Sequence, residues 1–397
     1  ASRGLGDVYK RQAPNGWVME YYVGKDYSLG GITLLCKFDG QRVTMASQIA
    51  GADETVSSLY SVKSEQATML SFDTYNYLVH YFGQPQGSMA DDPNGTLGGD
   101  YEFVISDATA DRIELKGKKY GNRIVMKAFS ADQTWKQYLT RIKKVEDDAF
   151  FYEYDLRMDG LYTGQMLRSN YTFIVTYYDE VGKVHQKTVP FMFTTDGMRF
   201  HEPVTIDGQT MQNFVWKNEE ISFVCTDEGA TEVKLAGVYT AGYQSYDYYP
   251  GTYQMDFYRL NDATNQMEVA SQEIQLVKDE DGKSYWLKGL EYDILVTYDK
   301  PRGGLSILPQ FLKKVQGGYV YLAMWDLMND YVLRSSAIGL ISYPTTDGIY
   351  LVDNGVWMGE ISGFIFGVYD SQDEEASFMG YTDAVAAIRL IKKTIEE

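Results

Sequence analysis

The sequence predicts a mainly β protein built from antiparallel barrel or sandwich modules, with one amphipathic helix at about residues 131–146. Six Asp-Gly and three Asn-Gly pairs recur along the chain, and these dipeptides tolerate the positive φ angles of tight hairpin turns. Short runs in which apolar and polar residues alternate lie between them. Evenly spaced short strands joined by glycine-rich turns are typical of antiparallel sandwiches and barrels.

The first clear hairpin lies at residues 33–45. Apolar residues alternate with polar ones over 34–38, Asp39-Gly40 supplies the turn, and the alternation resumes over 43–45. The same pattern predicts further strands at 101–105, 113–115, 124–126, 171–177, 191–193, 199–206, 214–215 and 221–225.

One segment has helical periodicity instead. Ser130 and Gln133 form a capping-box pattern. Apolar residues then recur at helical spacing, namely Trp135, Tyr138, Leu139, Ile142 and Val145. We predict a helix whose apolar face covers a sheet or the open end of a barrel. The tail, residues 383–397, fits either a second helix or a last strand.

Changes of composition at 146–152 and 227–232 predict three β-rich units. The first is a barrel-like domain with a closing helix, residues 13–148. The second is a β-sheet domain packed on the first, residues 149–230, and the third is a C-terminal β-rich domain, residues 231–397.

Residues 1–12, ASRGLGDVYKRQ, match nothing after them in periodicity or composition. Their second half reads like the translated end of a transposon used to prepare sequencing libraries. We interpret them as a non-native leader, so that a missing signal peptide says nothing about the compartment. Without this leader the formal charge changes from −19 to −21.

This negative charge disfavours nucleic acid and anionic membrane surfaces as partners. No apolar run reaches the roughly 18 residues of a membrane helix. Cys36 and Cys225 lie in strand-like contexts, and we expect two buried free thiols rather than a disulfide. The chain lacks the P-loop, GxSxG, HExxH and GxGxxG signatures. We therefore predict that the protein is not an enzyme, and we assign it no cofactor, metal or catalytic residue.

Two features offer metal ligands without predicting a site. His201 and Glu202 are neighbours on a predicted strand and would point to opposite faces. The acidic segments 90–96, 278–283 and 370–377 lack the twelve-residue spacing of an EF-hand, so charged turns are the simpler interpretation.

Tyrosine is the most informative residue type, with 34 in the chain and seven between 237 and 258. We expect Tyr253 and Phe257 to lie in the core of a strand, and Trp17 and Trp325 to be core residues as well. Four others are predicted as exposed loop residues that stack on sugar rings or on a partner: Tyr243, Tyr246, Tyr248 and Tyr249. The alternative is that these tyrosines pack across strands, because tyrosine has a high β-propensity.

Several stretches resemble a known family: NGWVMEYYVGKDYSLGGITLLCKFDGQRVTM, MLSFDTYNYLVHYFGQP, GDYEFVIS, IELKGKKYGNRIVMK and FTTDGMRFHEPVTIDGQTMQNF. They resemble Bacteroidetes surface lipoproteins catalogued as domain of unknown function 4302, over about residues 14–230. The remainder is similar to C-terminal β modules of such proteins. The early Trp17 and the GKKYGN hairpin resemble lipocalin-like barrels, which makes the first module lipocalin-like.

The resemblance implies an exported lipoprotein, tethered to the outer membrane through a cysteine near the precursor's N-terminus and often encoded near glycan-uptake machinery. It implies no catalytic residues, and Cys36, inside a strand, is a poor candidate for the lipid-bearing cysteine. We therefore expect an outer-membrane lipoprotein or a cell-surface or periplasmic protein.

Four functions remain open at this point. The favoured one is a non-catalytic module that binds a glycan or an outer-membrane glycan-uptake protein through aromatic loops. A lipocalin-like binder of a small apolar ligand would need a cavity of about 300 Å³ or more. A glycan hydrolase would need a cleft with two convergent carboxylates. A purely structural role at the cell surface is not separable from the first function by sequence.

Overall fold

The computed structural model describes residues 13–64, 66–73, 76–80, 99–109, 111–130 and 132–394. The chain divides into two compact units, Ala1–Val238 and Tyr239–Glu397. The proposed leader and the acidic segment 90–96 lie outside the described residues. The mainly β prediction is confirmed, since two eight-stranded closed barrels and a twelve-stranded sheet account for the described strands.

The first barrel closes where its last strand pairs with its first, Trp17 opposite Ala128. A short helix, α1 (Tyr77–His80), follows the fifth strand. The predicted first hairpin is confirmed, with Asp39 opposite Arg42 at its turn. The strands are β1 (Trp17–Val23), β2 (Gly30–Asp39), β3 (Arg42–Ser47), β4 (Val56–Ser64), β5 (Thr68–Phe72), β6 (Glu102–Ala108), β7 (Arg112–Gly117) and β8 (Arg123–Ala128).

Large side chains fill the interior of this barrel. Trp17, Tyr21, Phe72 and Phe103 are each at most 1 % exposed, as expected for Trp17. A side chain that borders a cavity large enough for water would keep accessible surface, so these values describe a packed interior. This packing argues against a small apolar ligand inside the first barrel.

The GKKYGN hairpin is held by one buried carboxylate. Asp100 accepts hydrogen bonds from the backbone amides of Lys119 and Tyr120 at 3.0 Å, and from the Asn122 side chain at 2.7 Å. At Gly117 an added Cβ would lie 1.8 Å from Asp100 Oδ2, so only glycine fits there. The motif therefore has a structural explanation within the barrel.

Helix α2 (Trp135–Asp148) begins four residues later than the sequence predicts. Its capping box is formed by Thr134 and Gln137, whose side chains accept from each other's backbone amides at 3.1 and 2.9 Å. The predicted Ser130–Gln133 box is wrong, because the Ser130 hydroxyl donates to Asp132 at 2.6 Å instead. The sequence holds two overlapping cap patterns, and the second starts the helix.

The apolar face of α2 contacts both barrels. Leu139 packs with Leu35 and Ala46 on the outside of the first barrel. Ile142 and Val145 belong to the core of the second barrel. The helix thus joins the two barrels rather than closing only the first.

The second barrel contains β9 (Glu153–Met158), β10 (Leu161–Ser169), β11 (Thr172–Tyr178), β12 (Val184–Phe193), β13 (Gly197–Ile206), β14 (Gln209–Lys217), β15 (Ser222–Cys225) and β16 (Val233–Gly237). Strand β16 closes the barrel by pairing with β9, Leu235 opposite Leu156. The predicted boundary at residue 230 therefore falls inside this barrel, which runs on to Gly237. A 3-10 turn, Asn218–Glu220, connects β14 and β15.

The second unit is one antiparallel sheet with β17 (Gly251–Asn261), β18 (Gln266–Lys278), β19 (Ser284–Lys288), β20 (Ile294–Asp299), β21 (Gly304–Ile307), β22 (Gln310–Val315), β23 (Gly318–Asp326), β24 (Tyr331–Leu333), β25 (Leu340–Thr345), β26 (Gly348–Asp353), β27 (Gly363–Tyr369) and β28 (Phe378–Lys392). Because β28 pairs with both β17 and β26, eight strands form a closed ring from which β27, β23, β22 and β24 branch.

Of the two alternatives for residues 383–397, the strand is the one observed, because β28 runs to Lys392. The described part of this tail, up to residue 394, contains no helix. Tyr253 and Phe257 are buried at 0 and 2 % exposure and Trp325 at 3 %, as predicted. Cys36 and Cys225 are both buried and free, which confirms the expected thiols. Among the described residues, the helices are too short and too polar to span a bilayer.

Candidate functional site

Of the four loop tyrosines predicted as exposed, one lies in the core of the second unit. Tyr249 is 2 % exposed, and its hydroxyl donates a hydrogen bond to the Gly303 carbonyl at 2.8 Å. The Tyr253 hydroxyl, on strand β17, donates to the Tyr249 carbonyl at 2.6 Å and holds this backbone against the core. The predicted exposure of Tyr249 is therefore wrong.

Tyr243 and Tyr246 are half-buried. The Tyr246 ring stacks on Tyr285 with 4.7 Å between centroids, and its hydroxyl donates to the Ser284 carbonyl at 2.7 Å. The Tyr243 ring lies against Gly303, where an added Cβ would be 2.4 Å from Cδ2 of the ring. Burial raises the pKa of both phenols above the usual value. These two rings pack within the fold more than they face solvent.

Tyr248 alone of the four is exposed, at 40 %. The Lys392 ammonium lies 4.6 Å from its ring centroid, within reach of a cation–π contact. With one exposed ring among the four, the loop offers less open aromatic surface than the sequence predicts.

A second aromatic group in the same unit is more exposed. We call it the aromatic strip, and it consists of Phe311, Tyr319, Tyr321, Tyr369 and Phe378. Phe311 is 44 % and Phe378 43 % exposed, the two tyrosines of β23 are half-buried, and Tyr369 is covered, at 4 % exposure. Exposed aromatic groups of this kind mark interaction surfaces more often than isolated exposed residues do.

The register of four strands places these rings on one face. Phe311 lies opposite Tyr321, and Tyr319 opposite Tyr369, which in turn lies opposite Phe378. Directly opposite residues of an antiparallel sheet share a face. Ring centroids are 5.4 Å apart for Phe311 and Tyr321, and 5.6 Å apart for both Tyr321–Tyr369 and Tyr369–Phe378.

The alternation along the strands turns the strip away from the core. Val320 and Leu322, on either side of Tyr321 along β23, belong to the core of the unit. Val368, next to Tyr369 along β27, packs against the same core. Because successive side chains of a strand point to opposite faces, the strip lies on the outer face of the sheet, where Phe311 and Phe378 are exposed and Tyr369 is covered.

Gly367 shapes the strip. It lies opposite Tyr321 on one side and Tyr381 on the other. An added Cβ would lie 3.0 Å from ring atoms of both Tyr369 and Phe378. The absence of a side chain lets these two rings lie close over the backbone.

One cation lies on the strip. The Arg334 guanidinium carbon is 4.0 Å from the Tyr369 centroid and 4.6 Å from the Tyr321 centroid. Its Nη2 donates to the Asp373 carbonyl at 2.7 Å, which ties the loop after β27 to the strip. A guanidinium has five donors, so others are left for a ligand that offers acceptors.

Sequence reasoning missed the strip. The signal was the Tyr-Val-Tyr alternation at 319–321, within a run that is apolar on both faces and is therefore typical of a fully buried strand. Which of the two faces stays open depends on strands distant in sequence.

His201 and Glu202 do not form a metal site. His201 lies in a ring cluster with Tyr22 and Tyr27, whose centroids are 4.2 and 4.6 Å from its own. Among the described residues, no group of three His, Cys, Asp or Glu side chains could hold a metal ion.

The two described acidic segments form turns. Asp281 accepts hydrogen bonds from the backbone amides of Lys283 and Ser284 at 2.8 and 2.9 Å. A hydrogen bond from the Ser284 hydroxyl and these two amide bonds lower the pKa of the Asp281 carboxyl. Asp370 accepts from the Ser377 amide at 2.9 Å. Both carboxylates thus stabilise the local backbone.

A cleft of about 360 Å³ lies where β28 leaves β27 and joins β26. Two carboxylate residues, Asp353 and Glu360, line it together with Tyr258 and Tyr350. Asp353 Oδ1 is shielded from solvent and accepts no hydrogen bond from the described residues. Ala387, in the left-handed conformation with φ 51°, marks the corner of β28 at this cleft.

The sequence stretches that build the first unit match a family model described as domain of unknown function (DUF4302), over residues 11–218. The chain belongs to the DUF4302 family. A second model, DUF4987, also described as a domain of unknown function, matches residues 226–365. The family predicted from the sequence is confirmed, as is a separate C-terminal module. No curated protein matches this DUF4302 chain.

Solved structures give only distant likenesses. A protein of unknown function from the DUF3598 family of Nostoc punctiforme is 8 % identical, with a TM-score of 0.16, over 62 % of this chain and 98 % of that one. Intact Ap-TbpB, with its N and C lobes, is 11 % identical, with a TM-score of 0.13, over 95 % of this chain and 76 % of that one. At these scores neither likeness informs function.

Proposed function

We propose that this DUF4302 protein is an exported lipoprotein of the cell envelope that binds, without catalysis, a glycan or a protein partner in glycan uptake. The observation that carries the proposal is the aromatic strip, with Arg334 lying across it. The strip replaces the loop tyrosines as the proposed binding surface.

The chemistry of the strip suits a sugar chain. Aromatic rings offer flat apolar faces to the C–H faces of sugar rings, and tyrosine adds a hydroxyl for hydrogen bonding. Phe311 and Phe378 are exposed at opposite ends of the strip, and Tyr319 and Tyr321 lie between them. Several rings in series fit an extended ligand better than a single sugar.

Binding to immobilised glycans tests this proposal. The full chain is applied to a glycan array, and the Phe311→Ala/Tyr321→Ala variant is compared with Tyr343→Ala. Tyr343 is 61 % exposed on β25 and lies outside the strip, which makes it a matched control. We expect at least one glycan class to bind, and the strip variant to lose about tenfold or more in affinity.

A pull-down with glycan-uptake proteins of the outer membrane is the second arm. Capture that depends on Phe311 and Tyr321 supports a protein partner, whereas glycan binding supports a sugar ligand. If neither arm detects binding, or if the strip variant binds like wild type, the strip is not the binding surface.

The envelope location needs its own test. The complete reading frame is expressed in a related bacterium, and lipid attachment is followed by incorporation of labelled palmitate. We expect label in the membrane fraction and its loss when the cysteine after the signal peptide is replaced by serine. Recovery of unlabelled protein in the soluble fraction would contradict the proposal.

The cleft with Asp353 and Glu360 favours one second candidate, glycan hydrolysis, since glycosidases use two carboxylates across the scissile bond. Release of reducing ends from any glycan that binds, abolished by Glu360→Gln, would support it. Equal release by wild type and by this variant would exclude these carboxylates.

A further inference from the structure

We propose that a pocket in the wall of the second barrel, where β12 and β13 separate, binds a mono- or disaccharide. We call it the seam pocket. This inference goes beyond the proposed function, because the seam pocket lies in the first unit and shares no residue with the aromatic strip.

Two prolines accompany the separation of the strands. The pairing of β12 with β13 ends at Phe191 opposite Phe200. The Phe191 amide donates to the Tyr171 carbonyl at 2.9 Å, on the β11 side, so the preceding position faces β13. That position is Pro190, which has no N–H to donate.

On β13 the ladder with β14 is also interrupted. Arg199 pairs with Asn213 and the next paired residue is Val204, with Met211, so four residues of β13 face a single residue of β14. Pro203 lies in this bulge. Bulges that re-aim side chains are frequent next to functional sites. The result is a pocket of about 390 Å³ in the barrel wall.

A strained turn of the first barrel contributes to the same pocket. Asp26 and Tyr27, both of which line it, have φ angles of 54° and 58°. Two consecutive non-glycine residues in the left-handed region are uncommon, and such strain persists only where the surroundings hold it. Here the Tyr27 ring contacts the rings of His201, at 4.6 Å, and Tyr22, at 6.2 Å.

The surroundings of His201 favour the neutral imidazole. Burial lowers the pKa of its imidazole, and the nearby charge of Arg123 lowers it further, whereas Glu202 raises it. A neutral imidazole has one donor and one acceptor nitrogen, so it suits hydroxyl groups, which also donate and accept. His201 therefore adds a hydrogen-bonding group beside an aromatic ring.

The remaining walls determine the class of ligand. They carry charges of both signs and hydroxyls beside apolar surface, with Asp26, Glu202, Lys187, Thr188, Thr205 and Val189 as examples. Mixed charges favour neither a strongly anionic nor a strongly cationic ligand. A small neutral molecule with many hydroxyls can pair with all of these groups and stack on Tyr27. The volume is near the lower end of the ~300–1,000 Å³ of small-ligand sites, which fits one or two sugar rings.

Isothermal titration of the full chain with free sugars tests the inference. The panel contains glucose, galactose, mannose, N-acetylglucosamine, maltose and lactose. Tyr27→Asn removes the ring and keeps a residue that tolerates the left-handed conformation. Thr188→Val removes one exposed hydroxyl at constant shape. Tyr178→Asn, at a tyrosine 54 % exposed on the same barrel and outside the pocket, is the control.

We expect at least one sugar to bind, Tyr27→Asn to weaken it about tenfold or more, and Thr188→Val to weaken it by about two- to tenfold. The control and the Phe311→Ala/Tyr321→Ala variant should bind like wild type. No binding by any sugar up to about 10 mM overturns the inference. Binding that survives Thr188→Val and Tyr27→Asn unchanged, or that is lost in the strip variant, overturns it as well.

Should Tyr27→Asn lower the unfolding temperature, Thr188→Val decides alone. If free sugars bind in the seam pocket but no glycan binding depends on the aromatic strip, only the proposed function is contradicted.

Discussion

The loop tyrosines at 243–249 and the aromatic strip are two aromatic groups of one unit, and they use their rings in opposite ways. In the loop, the ring of Tyr249 is 2 % exposed and its hydroxyl is bonded to the backbone of Gly303. In the strip, Phe311 is 44 % exposed although it lies in a strand. Position in a loop or a strand therefore does not decide whether an aromatic ring is open to a ligand.

Neighbours distant in the sequence make this difference. The loop packs on Tyr285, in β19, and on Gly303, in the turn before β21. The strip lies on strands β22, β23, β27 and β28, whose other face already holds the core. The comparison teaches that tyrosine-rich loops can be structural while the outer face of a strand carries the exposed rings.

The largest expected effect is on stability. Tyr249→Ala should lower the free energy of unfolding by about 3–5 kcal/mol, because it leaves a cavity in the core. Tyr321→Ala, on the outer face, should cost about 1–2 kcal/mol by comparison, because it loses ring and cation–π contacts but leaves no cavity in the core. Urea unfolding followed by tyrosine fluorescence measures both. Equal losses would erase the distinction between the two groups.

Alkaline pH should act on the loop tyrosines next. Burial raises the pKa of Tyr249 above its unfolded value of about 10. The neutral phenol is favoured in the folded state, so its contribution is complete below about pH 10 and is lost as the pH rises further. We expect a loss of at most about 1.4 kcal/mol per pH unit from this group.

Unfolding free energies of wild type and Tyr249→Phe between pH 9 and 11 check this expectation, since the variant lacks the titrating group. The slope against pH should be shallower for the variant. Identical slopes would show that the Tyr249 phenol does not resist ionisation.

Arg334→Ala should have an intermediate effect, a loss of about 1–2 kcal/mol, because it removes cation–π contacts and a hydrogen bond to the Asp373 carbonyl. Amide hydrogen exchange of residues 370–377 should become faster, since this loop is tied through Arg334. Lys314→Ala, whose ammonium lies 5.7 Å from the Tyr319 ring, is the control with a weaker contact. If the amide exchange of residues 370–377 is unchanged in Arg334→Ala, Arg334 does not hold this loop on the strip.

The smallest effect is expected for Tyr248→Ala, at about 0.5–1 kcal/mol, because this ring is exposed and loses mainly its contact with Lys392. Glycan binding should stay at the wild-type level. If Tyr248→Ala loses glycan binding without losing stability, the loop tyrosines belong to the binding surface.

Much of the architecture was predictable from local pattern. The alternation around Asp39-Gly40 identified the first hairpin, and the burial of Tyr253 followed from a regular strand. The start of α2 was missed, because Ser130 and Thr134 each begin a cap pattern and only the backbone path selects between them. The boundary at 230 was missed because β16 is short and its partner β9 is about 75 residues away.

The candidate sites were less predictable. Tyr249 carried a loop signal, yet hydrogen bonds with Tyr253 and Gly303 bury it. The strip joins residues as far apart as Phe311 and Phe378, and no local pattern connects them. The seam pocket needs a turn of the first barrel beside a bulge of the second.

By itself the sequence determined the β class, the antiparallel hairpins, one amphipathic helix, the free thiols and the family, because periodicity, turn chemistry and motifs are local properties of the chain. Only the tertiary structure decided which aromatic rings face solvent, where the barrels close and where their walls open. Those properties depend on which distant strands become neighbours, and residue alternation is the same whether the second face of a strand is covered or left open.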